Sequence, residues 1–213
     1  MHAIIFANGN PPDRSTAVPW LASADLIIAA DGGSRHALSI DVTPHIVIGD
    51  LDSIDPDTRS KLEQTDAHFV VYPTHKDYTD LELAIRYALD QGATEITLLS
   101  ALGGRWDQSL ANILLLTLPQ LDRITARIVD RNLSIGVIRD RAEITGRVGD
   151  TLSLIALKGD AHGVTIEGCV YPLTDAVLPF GASLGISNVL AQPIAKITVQ
   201  HGLILAVHAA YEE

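Results

Sequence analysis

Aspartate recurs in this chain in four short stretches whose other members are glycines, cations or amides. They are Asp31-Gly32-Gly33, Gly49-Asp50-Leu51-Asp52-Ser53, Lys76-Asp77-Tyr78-Thr79-Asp80 and Gly103-Gly104-Arg105-Trp106-Asp107-Gln108. Carboxylates brought together without a counterion repel one another. A hard divalent cation relieves that repulsion, and Mg²⁺ characteristically combines one or two carboxylates with phosphate oxygens. Asp50 and Asp52 stand two apart, so loop backbone lets both reach one ion around Leu51. Glycine pairs allow the backbone to approach a ligand closely. Lys76 and Arg105 supply the positive charge that a polyphosphate needs during transfer. The chemistry these residue types suit is Mg²⁺-dependent handling of a nucleoside polyphosphate.

Positioning them is the task of the elements in between. Apolar runs at residues 3–7, 26–30, 45–48, 68–72, 96–101 and 124–129 lack strict polar alternation, as strands buried on both faces do. Helical patterns at 34–39, 56–63, 80–90 and 109–118 fill the gaps. Such alternation predicts a mostly parallel, Rossmann-like α/β sheet. Each acidic stretch follows a strand, so all four fall on the sheet edge where open α/β sheets bind ligands. Asn8-Gly9-Asn10 is a further loop at that edge, and helices starting near Ser34 and Asp107 would aim N–H groups at a phosphate.

After about Asn132 the pattern changes. Short runs at 134–139, 151–156, 164–167, 196–200 and 203–207 are separated by Gly, Asp or Pro turns, and no helix of ten residues is expected. This predicts an antiparallel β-sandwich or barrel. The domains expected are 1–130, α/β, and 131–213, all-β.

Bulk properties narrow the partners. With 47% hydrophobic and 19% charged residues the chain has material for a core and no signature of disorder. Its apolar runs fall short of the roughly 20 residues of a membrane span, and the N-terminus reads as a first strand rather than a signal peptide. Cys169 is the only cysteine, which excludes an intrachain disulfide and suits a reducing cytoplasm. A net charge of -11 argues against nucleic acid.

Simpler roles compete at single positions. An Asp after a strand is often a helix N-cap, and Asp77 and Asp107 fit that role best. Lys76 and Arg105 taken alone read as solvated charges, and Trp20 and Trp106 as packing. The eight histidines show no metal-type pair; His45 and His68 start strands, and His75 is a weaker phosphate contact. No nucleophile elbow, Walker loop or dinucleotide fingerprint occurs. The coincidence of four acidic junctions on one edge is what favours a site.

Taken in order, the four stretches, Asn112 one turn later and Gly185-Ile186-Ser187-Asn188 resemble the thiamine pyrophosphokinase family along nearly the whole chain. The resemblance implies an N-terminal ATP- and Mg²⁺-binding catalytic domain and a C-terminal β-sandwich that binds thiamine. It also implies a homodimer with thiamine at the subunit interface. The reaction would move the β,γ-diphosphate of ATP onto the hydroxyl of thiamine and release AMP. Carried over by motif, Asp50, Asp52 and Asp80 would hold Mg²⁺. Asp31, Gly32, Gly33, Asp77, Arg105, Asp107, Gln108 and Asn112 would line the nucleotide site, while Thr79, Ser187 and Asn188 would contact thiamine. Lys76, Asp52 and Asp80 would carry the catalysis. Some members have Gln where Lys76 stands. Some place a Trp after the Ser-Asn pair, where this chain has Val189, Leu190 and Ala191, which leaves the partner of the thiamine rings open.

Two rival readings remain. Ile48-Gly49-Asp50-Leu51-Asp52-Ser53 also resembles the nucleophile motif of haloacid-dehalogenase phosphatases, although two strand–helix units precede it here. A non-catalytic sensor of thiamine or nucleotide is the other, but a sensor could spare the metal carboxylates.

Overall fold

The computed structural model describes residues 1–211. The chain divides into two compact units, Met1–Arg131 and the part from Asn132 onward.

In the first unit six strands alternate with five helices: β1 His2–Phe6, α1 Arg14–Leu21, β2 Leu26–Ala30, α2 Gly33–Ser39, β3 Ile46–Gly49, α3 Pro56–Glu63, β4 His68–Val71, α4 Asp80–Asp90, β5 Glu95–Leu99, α5 Trp106–Leu115 and β6 Thr125–Asp130. The strands form parallel pairs in the order β4-β3-β2-β1-β5-β6. Ile4, Ile5, Phe6, Ile28, Ile48, Ile96 and Leu98 are essentially inaccessible, which is why these strands read as unbroken apolar runs. Strand β4 is the edge, and there Val71 is exposed.

Local rules account for most of the helices. Helix α4 buries Leu81, Ala84, Ile85 and Ala88 at helical spacing. Helix α3 starts with Asp55, whose carboxylate accepts from Thr58 N at 2.9 Å, followed by Pro56 at the first position. Helix α1 lies outside the helical patterns expected from the sequence, and its internal Pro19 disfavours it locally. Its Asp13 cap and the burial of Ala17 outweigh the hydrogen bond that Pro19 removes. Helix α5 starts three residues earlier than its apolar pattern suggested and takes Asp107 and Gln108 into its first turns.

The second unit consists of antiparallel pairs. Its strands are β7 Leu133–Ile138, β8 Arg141–Thr145, β9 Thr151–Glu167, β10 Leu173–Leu178, β11 Asn188–Val189, β12 Ile194–Thr198 and β13 His201–Ala209. The segments expected at 151–156 and 164–167 are one strand of 17 residues. It turns at Lys158 and Gly159, with φ of +57° and +107°. The first half of β9 pairs with β13, and the second half pairs with β10 and β12. Leu152, Leu154, Ala161, Val164, Ile166, Ile197 and Ile204 build the core. Among the described residues no helix is long and apolar enough to cross a membrane.

Candidate active site

Strand β1 lies between β2 and β5, so the chain leaves it on opposite sides and opens a crevice at the C-terminal strand ends. A cavity of about 500 Å³ occupies that edge. Asn8, Gly9, Asn10, Asp31, Ser53, Thr79, Asp80, Gly103, Gly104, Arg105, Gln108 and Asn112 are among its lining residues.

At one side of it three carboxylates converge. Asp31, Asp50 and Asp52 each place an oxygen within 4.8 Å of the others. Strand register brings Asp31 there: its N–H donates to Ile48 O at 2.8 Å, one step beyond the β2–β3 ladder. Asp31 and Leu51 both take left-handed backbone, with φ of +46° and +64°, and Asp52 N donates to Asp50 Oδ1 at 3.4 Å. Gly49 is required behind them. With φ at +153°, a Cβ there would lie 2.9 Å from Asp31 Cβ and 3.1 Å from Asp80 Oδ1.

Asp31 is 5% exposed, and its Oδ1 has no hydrogen-bond partner among the described residues. Burial, and then the Asp80 and Asp52 charges, push its carboxyl above the ordinary range against a lowering hydrogen bond from Ser53. Lys76 Nζ lies 2.7 Å from Asp80 Oδ1 and 3.7 Å from Asp50 Oδ2. The contact with Asp80 is a close ion pair. Burial would lower the lysine, but Asp80, Asp50 and Asp31 outweigh it and hold the ammonium above its usual value. Burial likewise works to raise Asp50, yet the Asp52 amide and Lys76 bring it below its usual value. One lysine therefore faces several carboxylates, one of them buried with an unpartnered oxygen. An all-oxygen set of this kind fits a hard divalent cation.

Across the cavity, Arg105 Nε and Nη2 contact Asp107 at 3.3 and 2.5 Å, the paired geometry of a guanidinium on a carboxylate. The pair is mostly exposed and holds Asp107 below, and Arg105 above, their ordinary values. Helix α5 has Arg105 at its N-cap and no side-chain acceptor there, unlike α1, α3 and α4. The Asp107 carboxylate in its first turn instead takes backbone hydrogen bonds from Gln108 and from its own N–H, at the positive end of the helix. Asn112 Nδ2 donates to Ala101 O at 2.7 Å, which fixes the amide beside the cavity.

Other residues singled out from sequence fall elsewhere. Gly33 serves packing of α2 on β1, since a Cβ there would sit 2.1 Å from Phe6 O, and Gly32 lies against the Asn8 side chain. Asp77 does not cap α4: the cap is Thr79, whose Oγ1 accepts from Glu82 N at 3.2 Å, while Asp77 is exposed. Asp107 is not a cap either but lies in the first turn of α5. Trp106 does not pack; it is 83% exposed at the start of α5. Trp20 does pack, with Arg127 over its ring at 4.8 Å.

In the second unit Ser187 is exposed at φ +57°, and Asn188 is buried. Asn188 Oδ1 accepts from Tyr171 N at 3.0 Å and Val189 N at 2.9 Å, and its Nδ2 donates to Tyr171 O at 2.7 Å. Asn188 is therefore a brace for Tyr171, whose side chain is left mostly exposed. Sequence reasoning passed over Tyr171 because no spacing rule links it to a residue 17 positions away.

Residues 19–128 match the family model described as thiamin pyrophosphokinase, catalytic domain, and residues 138–204 that of its vitamin B1 binding domain. The chain is 29% identical over 186 residues to thiamine pyrophosphokinase of Bacillus subtilis (strain 168), spanning 86% of this chain and 87% of the relative. It is 26% identical over 218 residues to thiamin pyrophosphokinase 1 of Caenorhabditis elegans, spanning 95% and 87%. The crystal structure of the Bacillus subtilis protein superposes with a TM-score of 0.90 at 26% identity over 100% of both chains. That from Geobacillus thermodenitrificans gives 0.86 at 27% identity over 100% and 99%.

Proposed function

Since the chain belongs to the thiamin pyrophosphokinase family, we propose that it moves the β,γ-diphosphate of ATP onto the hydroxyl of thiamine at the carboxylate-lined edge of the first unit. Its activity is that of a thiamine diphosphokinase, with ATP as co-substrate. The observation that carries the site assignment is the convergence of Asp31, Asp50 and Asp52 around an unpartnered buried oxygen. In this reading the first unit is the Rossmann-like catalytic domain and the second the β-sandwich that binds thiamine.

Asp31, Asp50 and Asp52 would hold Mg²⁺, with Asp80 beside them. In this reading Asp31 serves as a metal ligand at the edge of the nucleotide site. When bound, the ion supplies Lewis-acid charge to phosphate oxygens. The thiamine hydroxyl oxygen attacks the β-phosphorus in line, the new O–P bond forms as the bond to the α,β-bridging oxygen breaks, and AMP departs. Lys76 and Arg105 offset charge on the diphosphate. Asp80 takes up the hydroxyl proton. A loose phosphoryl transition state needs little base help, so positioning and electrostatics carry most of the rate. Gln108 and Asn112 line the nucleotide side, with Thr79 at the same cavity. Family membership sets aside the dehalogenase-type reading of Asp50.

The test is to incubate the chain with ATP, Mg²⁺ and thiamine. AMP released only when thiamine is present is the expected result; ADP or inorganic phosphate in its place would overturn diphosphate transfer.

Tyr171 offers thiamine an exposed ring held in place by Asn188. Ring stacking is worth roughly 1–3 kcal/mol, so Tyr171→Ala should raise KM for thiamine about tenfold or more and leave KM for ATP unchanged. Equal thiamine affinity in the variant removes Tyr171 from the site. The family resemblance also supports a homodimer, which sedimentation equilibrium at a single-chain mass would exclude. A lone, buried thiol suits a reducing cytoplasm.

A further inference from the structure

His36 is a buried titratable group that the reaction scheme does not use. It lies on α2 at 4% exposure, with Nε2 at 2.9 Å from the carbonyl oxygen of Gly9. A carbonyl only accepts, so Nε2 carries the proton. Burial holds the imidazole below its ordinary pKa, in keeping with a neutral ring that donates at this one nitrogen.

The Gly9 peptide is where two walls of the cavity join. Gly9 N donates to Ser100 O at 2.7 Å, and Asn10 N donates to Leu102 O at 2.7 Å. The fit is close: a Cβ on Gly9 would stand 2.1 Å from Leu102 O, and one on Gly103 would stand 3.1 Å from Gly9 Cα. Asn8, Gly9 and Asn10 line one side of the cavity, and Gly103, Gly104 and Arg105 line the adjoining side. His36 reaches this junction from a third element.

We propose that His36 is a positioning residue for ATP: by donating Nε2–H to Gly9 O, it holds the Asn8-Gly9-Asn10 loop against residues 100–103 and thereby sets the nucleotide wall of the cavity. The proposal rests on the diphosphokinase reading for its choice of ligand. Without the donor, a partly buried carbonyl must find another partner, and the loop moves to supply one. Small misplacements of a binding wall are costly to a transfer reaction.

The experiment compares the full-length chain with His36→Leu and His36→Gln. Leucine fills the site without a donor, whereas glutamine keeps an N–H at the end of a side chain of similar reach. His36→Leu should raise KM for ATP about tenfold, the effect of one lost hydrogen bond, and leave KM for thiamine unchanged. His36→Gln should restore KM for ATP. An unchanged KM for ATP in His36→Leu, or a glutamine variant as impaired as the leucine one, overturns the proposal. Should either variant fail to fold, nitrogen NMR of the unsubstituted chain decides. The expected spectrum has the His36 proton on Nε2 and a ring signal that shifts when AMP is added. A proton on Nδ1, or no shift with AMP, overturns it. Absence of AMP formation by the unsubstituted chain would instead strike the diphosphokinase reading, and the spectrum would still judge the His36–Gly9 contact.

Discussion

Replacing Asp52 with asparagine is expected to lower the rate of AMP release by roughly a hundred- to a thousandfold while the fold stays intact. Asparagine preserves shape but removes one of three charges in the Asp31, Asp50 and Asp52 group. A metal ion at a phosphoryl centre contributes several kcal/mol to the transition state, and each 1.36 kcal/mol is about tenfold in rate. Stability should not suffer. Asp52 is exposed, and its carboxylate accepts from the Ser53 hydroxyl, a bond that an amide oxygen can equally accept. Loss of a negative charge also relieves repulsion on Asp31, which its neighbours already push upward. The measurement is steady-state turnover over a range of Mg²⁺ concentrations beside a thermal melt. Near-normal turnover in a folded variant refutes the metal assignment. Partial recovery at high Mg²⁺ is the expected signature of weakened metal binding rather than lost positioning.

The second large effect concerns stability and lies far from the carboxylates in sequence. Asp150 is 2% exposed and accepts from Arg147 N at 2.8 Å, Tyr211 N at 2.9 Å and His208 Nε2 at 2.9 Å. It joins the turn before β9 to β13 and to the segment that follows β13. Asp150→Ala strands three donors, and at about 1–2 kcal/mol for each buried donor left unpaired the cost is about 3–5 kcal/mol. That corresponds to a drop of roughly 10 °C in Tm. Asp150→Asn should recover only part of it, because an amide offers one acceptor oxygen and brings an N–H among donors. Burial works to raise this carboxyl, but the Tyr211 and Arg147 amides and then His208 hold it below the ordinary value. A depressed folded-state pKa means that the stabilisation is complete above the unfolded value of about 3.9 and is lost only as pH falls through the folded value. The stability difference between the unsubstituted chain and Asp150→Ala, measured by chemical denaturation, should therefore persist in mild acid and shrink in stronger acid. A variant within about 1 kcal/mol of the unsubstituted chain at pH 7 would show that the network is replaceable by water.

The first unit was largely legible because its signals are local. Buried parallel strands show themselves as short apolar runs, and α3 and α4 carry their caps and apolar spacing in neighbouring residues. Where a local signal misled, a distant contact or an exposed face was the reason. Helix α1 forms despite Pro19 because Ala17 is buried in the core around Ile4 and Phe6. The span 151–167 is one strand because β13 pairs with its first half while β10 and β12 take the second. Trp106 was expected to pack, yet α5 presents it to solvent along with Leu110 and Leu114.

The same division holds at the candidate site. Residue types and their order along the chain determined the chemistry on offer: acids, glycines and cations after successive strands point to a polyphosphate and a divalent ion at one sheet edge. Which carboxylates stand close enough to share one ion was decided only by tertiary structure. The β2–β3 register and left-handed backbone at Asp31 and Leu51 bring Asp31 to Asp50 and Asp52, while Lys76 draws Asp80 into an ion pair. The bracing of Tyr171 by Asn188 and of Gly9 by His36 was equally beyond the sequence. Each of these joins groups well apart in the chain, and only strand pairing and packing bring such groups within hydrogen-bond reach.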